Sequence, residues 1–131
     1  MPTILIVDDE PLIRTLLMLI LEQGGYAVFS AENGAEALTI ARRYGDGIDL
    51  VVSDVLMPEM DGPTLASRLR TERPKLPVLL MSDAYAVEDL GLRKAYPFLP
   101  KPFDLTTVMT VVRHMVEQRP APATTAAPTA A

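Results

Sequence analysis

The chain contains no cysteine. That excludes a disulfide framework, thiol chemistry and a cysteine zinc site. Its one histidine, His114, lies in the last predicted helix, far along the chain from the acidic motifs described below, and reads as a surface or structural residue. No apolar run approaches the ~20 residues that span a bilayer. The chain opens directly in a strand pattern, without a basic leader, so no membrane association and a cytoplasmic location are expected. No Gly-x-Gly-x-x-Gly loop follows the first strand, which argues against a dinucleotide-binding domain. Positive charge is in short supply. Lys and Arg number 12 against 17 Asp and Glu, for a net charge of −5, and binding to nucleic acid by bulk charge is not expected.

What is present is a core. With 131 residues and 49% hydrophobic content, one domain is the natural reading. Strand and helix signals alternate five times. Residues 3–7 are β-branched and apolar, the pattern of a buried parallel strand. Pro11 opens a helix at a position that tolerates proline. Leu12, Leu16, Leu19 and Ile20 follow at helical spacing, and Gly24-Gly25 ends the helix. Residues 26–30 form a second strand. Asn33 caps the next helix, with Glu36 completing a capping box, and that helix stops at Gly45. Residues 49–53 are the third strand. A helix with Leu65, Ala66 and Leu69 ends before Pro74. Residues 77–81 are the fourth strand, a weak helix covers Val87 to Lys94, and residues 97–99 make a short fifth strand. The last helix carries Leu105, Val108, Val112 and Met115 on one face.

Five βα repeats imply an α/β fold with a parallel sheet and right-handed crossovers. Strands 1 and 3 are the most apolar and belong in the middle. Pro97 and Pro100 mark strand 5 as an edge. The expected order is 2-1-3-4-5, a flavodoxin-like doubly wound sheet with helices on both faces and its ligand crevice between strands 1 and 3. The domain spans 1–119. Residues 120–131 carry no charge and no large apolar side chain, and read as a disordered Ala/Pro/Thr tail or linker stub.

The chemistry gathers at the C-terminal ends of the strands. Strand 1 runs into Asp8-Asp9-Glu10, strand 3 into Asp54, strand 4 into Ser82 and strand 5 into Lys101-Pro102. Three carboxylates in one crevice repel each other, and a divalent cation removes the conflict. Magnesium suits an all-oxygen set that leaves room for water and phosphate. A carboxylate beside such a cation can attack a phosphoryl group and form an acyl phosphate. The transferring group is negative, so catalysis is mainly positioning and charge neutralisation. Lys101 supplies a positive charge and Ser82 a hydrogen bond.

With these pieces in order, the chain resembles the receiver domains of two-component response regulators. The resemblance rests on Ile4 to Pro11, on Asp54 with Met57-Pro58-Glu59-Met60-Asp61-Gly62, on Ser82, and on Lys101-Pro102-Phe103, and covers roughly residues 2–118. It implies that Asp54 is the phospho-acceptor, charged by a histidine kinase or a histidine phosphotransfer protein. It implies that Asp8, Asp9 and Asp54, with the Leu56 main-chain carbonyl, hold Mg²⁺. Ser82 resembles the switch hydroxyl, Lys101 the phosphate-binding lysine and Phe98 the aromatic switch position. The Lys101–Pro102 bond is typically cis in the family. Phosphorylation adds about −1.5 to −2 charge. It is expected to remodel the face made by the fourth helix, the fifth strand and the last helix, and so to control binding of a downstream protein by a monomer or weak dimer. No turnover of external substrates is expected.

Three departures from the family pattern stand out. Asp83 follows Ser82 where a small residue is usual, which should slow phosphorylation by small donors. The stretch from Ser82 to Lys101 is shorter than usual, and the loss falls in the fourth helix. Pro97 and Pro100 stiffen the fifth strand around Phe98. Two other function classes fit the sequence less well. A haloacid-dehalogenase-like phosphatase wants Asp-x-Asp after strand 1, whereas here the acids are adjacent. A receiver-like interaction module that no longer takes phosphate is the main alternative.

Overall fold

The computed structural model describes residues 1–83, 94–101 and 103–118. Five strands form one parallel sheet in the order β2-β1-β3-β4-β5, as expected. They are β1 (Thr3–Val7), β2 (Ala27–Ala31), β3 (Leu50–Asp54), β4 (Val78–Asp83) and β5 (Phe98–Lys101). Four described helices accompany them: α1 (Pro11–Gln23), α2 (Gly34–Tyr44), α3 (Gly62–Glu72) and α4 (Leu105–Glu117). The expected helix over Val87 to Lys94 lies almost wholly outside the described residues. So do Pro102, the 120–131 tail and the side chain of Asp83.

Alternating strand residues feed two cores. Leu5, Val7, Val51, Val55 and Leu80 pack with Ala37, Leu38 and Ala41 of α2 and Leu65, Ala66 and Leu69 of α3. Ile4, Ile6, Leu50, Val52, Leu79 and Leu99 pack on the other side with Leu17, Ile20 and Leu21 of α1 and Val108 and Val112 of α4. Helices therefore cover both faces. Every residue of β3 is buried, which fits its central place.

The helix starts are chemically marked. Asn33 accepts from the Glu36 amide at 2.8 Å, as read from sequence. Asp61 does the same for Thr64 at 2.8 Å, and Asp104 for Thr107 at 2.7 Å. Asp61 thus caps α3 directly ahead of Gly62-Pro63, a first-turn proline signal.

Of the four α1 residues noted at helical spacing, only Ile20 is buried. Leu12, Leu16 and Leu19 are 77%, 43% and 56% exposed. The helix bears two apolar stripes offset by one residue, roughly 100° of helical turn, and the sheet takes the one containing Leu17, Ile20 and Leu21. On α4, similarly, Leu105 is exposed while Val108 and Val112 are buried.

Candidate functional site

Asp54 is the last residue of β3, paired in register with Met81 of β4. Its main chain is held on several sides. The Ser53 hydroxyl donates to the Asp54 carbonyl at 2.9 Å. The Val55 amide donates to Met81 at 3.0 Å, and the Gly62 amide to Val55 at 2.9 Å, closing the 55–61 loop onto the strand end. A Cβ on Gly62 would lie 2.2 Å from the Asp54 carbonyl oxygen. Only glycine permits that approach.

Asp8 comes from the end of β1, next to β3. It is fully buried, and Asp54 is 7% exposed. Asp8 Oδ1 accepts from the Glu10 amide at 2.9 Å. Arg14 Nη1 donates to the Asp8 carbonyl at 2.6 Å, tying the β1–α1 turn to the helix. Asp9 is exposed at the mouth. Carboxylate oxygens of Asp8, Asp9 and Asp54 lie within 4.8 Å of one another.

Lys101 ends β5 and reaches across β4 to both buried acids. Its ammonium is 3.3 Å from Asp54 Oδ1 and 3.6 Å from Asp8 Oδ2. Burial pushes the Asp8 carboxyl above its ordinary value, and the charges of Asp54 and Asp9 add to this; the Glu10 amide and Lys101 oppose. Burial likewise raises Asp54, with Asp9 adding and Lys101 opposing. For Lys101 burial disfavours the charge, but attraction to Asp54 and Asp8 wins and its pKa is raised. One ammonium thus only partly neutralises the carboxylates.

The remaining predicted residues fall nearby. Ser82 is buried near the end of β4, one residue past the register partner of Asp54. Leu56 follows Asp54 by two positions, its side chain 66% exposed. Phe98 is half-buried against the α2–α3 core, in register with Leu80. His114 is exposed on α4, away from the site. Ser53 and Arg14 were not singled out from sequence. A serine inside an apolar strand run was the available signal for the first. A basic residue one turn into the helix after an acidic pair was the signal for the second.

The residues fit a hard divalent cation. Asp8 Oδ2 is buried and accepts no hydrogen bond, its one described charge contact being Lys101 at 3.6 Å, in a cluster of three carboxylates with no sulfur or imidazole, and a buried carboxylate oxygen so weakly satisfied favours binding of a cation.

The profile of the "Response regulator receiver domain" family matches residues 4–113. The chain belongs to this family. It is 42% identical over 121 residues to sensor kinase CckA of Brucella abortus, covering 89% of this chain and 13% of that protein. It is 36% identical to the probable transcriptional regulatory protein TcrX of Mycobacterium tuberculosis, covering 88% of this chain and 50% of the relative. Of these curated relatives the receiver domain therefore spans half the length or less. Among solved structures, the receiver domain of the hybrid histidine kinase CckA superposes with a TM-score of 0.74 at 38% identity, covering 87% of this chain and 98% of the other. The chemotaxis protein CheY4 of Vibrio cholerae superposes at 0.81 with 30% identity, covering 88% and 98%. Among the described residues no helix is long and apolar enough to cross a membrane.

Proposed function

We propose that this receiver accepts a phosphoryl group on Asp54 from a phosphohistidine of a histidine kinase or phosphotransfer protein, and that the modified state controls a downstream protein contact. The observation that carries this is the Lys101 ammonium set between Asp54 and Asp8, within ion-pair distance of a buried Asp8 oxygen that receives no hydrogen bond. Asp8, Asp9 and Asp54, with the Leu56 carbonyl, would hold Mg²⁺, which supplies charge neutralisation for the transferring group. An Asp54 carboxylate oxygen attacks phosphorus. The P–N bond breaks, its electron pair stays on the imidazole nitrogen, and an acyl phosphate forms. Lys101 neutralises phosphoryl charge, and Ser82 donates to a phosphoryl oxygen. Phe98 on β5, against the α2–α3 core, would report the change to the face made by the fourth predicted helix, β5 and the last helix. The domain is cytoplasmic on this reading and turns over no external substrate.

The donor's approach has a candidate surface. Leu12, Leu16 and Leu19 form an exposed apolar stripe on α1, the helix that begins immediately after Asp8-Asp9-Glu10. A helix of the donor laid on that stripe brings its imidazole to the site.

The test is incubation with Mg²⁺ and acetyl phosphate or beryllofluoride, read by intact mass, peptide mapping and amide shifts. One phosphoryl adduct on the Asp54 peptide, absent from Asp54→Asn, is expected. An unmodified wild-type chain, or a label elsewhere, would overturn the reading and leave an interaction module without phosphate chemistry.

A further inference from the structure

The negative charge of this molecule is concentrated where the phosphoryl group must arrive. Asp8, Asp9 and Glu10 end β1 and its turn, and Asp54, Glu59 and Asp61 end β3 and its loop. Asp9, Glu10, Glu59 and Asp61 are all exposed. Against these six carboxylates the described side chains set two cations, Lys101 bridging the buried pair and Arg14 on the Asp8 carbonyl. These eight described groups sum to −4, in a chain of net −5, and to −2 with a bound dication. Two other described ion pairs, Arg42 with Glu72 and Arg73 with Asp46, lie at the opposite end of the sheet.

Glu59 is held in place by the backbone. It has a φ of 70°, rarely adopted by a non-glycine residue, inside a loop that closes on Val55 at the strand end. Glu10 is the N-cap residue of α1 yet makes no side-chain capping bond, so its carboxylate is spent on no helix amide. Glu10 and Glu59 add charge at the mouth without belonging to the proposed metal and acceptor set.

Every small phosphodonor is an anion, and a cleft of one sign repels it at long range. Resting on the proposed function, we infer that Glu10 and Glu59 are specificity-determining residues, which slow anionic small-molecule donors and select a donor protein whose phosphohistidine is ringed by lysine or arginine. The collar does not touch the reacting atoms. It acts on encounter, so its signature is an opposite salt dependence for donors of opposite surface charge.

The experiment compares donors on the intact chain with saturating Mg²⁺, from about 0.01 M to about 0.15 M salt, over which the screening length falls from ~30 Å to ~8 Å. Acetyl phosphate should speed up several-fold with salt, and phosphoramidate, which carries less negative charge, should respond less. A phosphohistidine peptide flanked by lysines should outpace the same peptide flanked by glutamates at low salt, with the two converging at high salt. Glu10→Gln/Glu59→Gln should raise the low-salt acetyl phosphate rate and flatten its slope, while mapping of the label still finds Asp54. Equal salt slopes for both small donors, equal rates for both peptides, or an unchanged slope in the double variant would overturn the inference. Absence of label on Asp54 from every donor would instead overturn the proposed function.

Discussion

Asp8 illustrates how one side chain carries a cost that the site needs. The folded state raises the pKa values of Asp8 and Asp54 above the ordinary 3.8, chiefly through burial. A folded protein that holds a proton more tightly than its unfolded chain is favoured below the unfolded value and loses that advantage as pH rises through the folded values. Without metal, both carboxylates therefore weigh against folding at neutral pH. Asp8→Asn should gain stability over wild type as pH rises from about 4 to about 7 in chelator, measured by urea unfolding, and a pH-independent difference would contradict this. Lys101, with its raised pKa, contributes stability that is fully present below its ordinary 10.5 and is lost as pH rises through the raised value, beyond this window. Gly62 is constrained differently. Its Cβ position falls against the Asp54 carbonyl, so Gly62→Ala should cost at least about 1–3 kcal/mol in denaturant unfolding and displace the Asp54 main chain. The principal site residues were legible in the sequence because each ends an apolar strand run in a polar group. Ser53, Arg14 and the cap on α3 were not, because their roles are hydrogen bonds to main chain, which no periodicity announces.

Elements were legible to within a residue or two. Strands 2 and 3 begin one residue later than their apolar runs suggest, and β4 and β5 extend to Asp83 and Lys101, because ladder pairing continues past the last apolar side chain. Which face of α1 is buried was not legible for a physical reason: periodicity identifies a stripe, but two stripes one residue apart satisfy it equally, and only the sheet decides between them. The two stripes give a paired prediction. Leu17→Ala should cost about 2–5 kcal/mol in thermal or urea unfolding, since Leu17 is fully buried. Leu16→Glu should change stability by less than ~0.5 kcal/mol, yet slow phosphotransfer from a protein donor while leaving acetyl phosphate unaffected. Equal losses with both donors would remove α1 from the docking surface.

At the scale of the molecule, the sheet order gathers residues from β1, β3, β4 and β5 at one edge, and the parallel topology ensures that all four strand ends point there. The fold thereby creates a charge conflict that it does not resolve internally. Binding a cation to the folded state alone should stabilise it by about 2.7 kcal/mol at a hundredfold excess over the dissociation constant. The melting temperature should climb with the logarithm of Mg²⁺ concentration, and Asp9→Asn should blunt the climb, as followed by calorimetry. A melting temperature indifferent to magnesium would deny that the carboxylate cluster is a metal site.

The immobilised backbone around Asp54 has a mechanical corollary. Ser53, Met81 and Gly62 clamp the peptide groups on either side of it, so the proposed acceptor is mounted like an electrode on a rigid stage. When its chemistry changes, the mount cannot yield, and relaxation is forced outward into the neighbouring strands. Deuterium uptake at the Val55 and Gly62 amides should then stay constant between the two forms, with the difference emerging along β4 and β5.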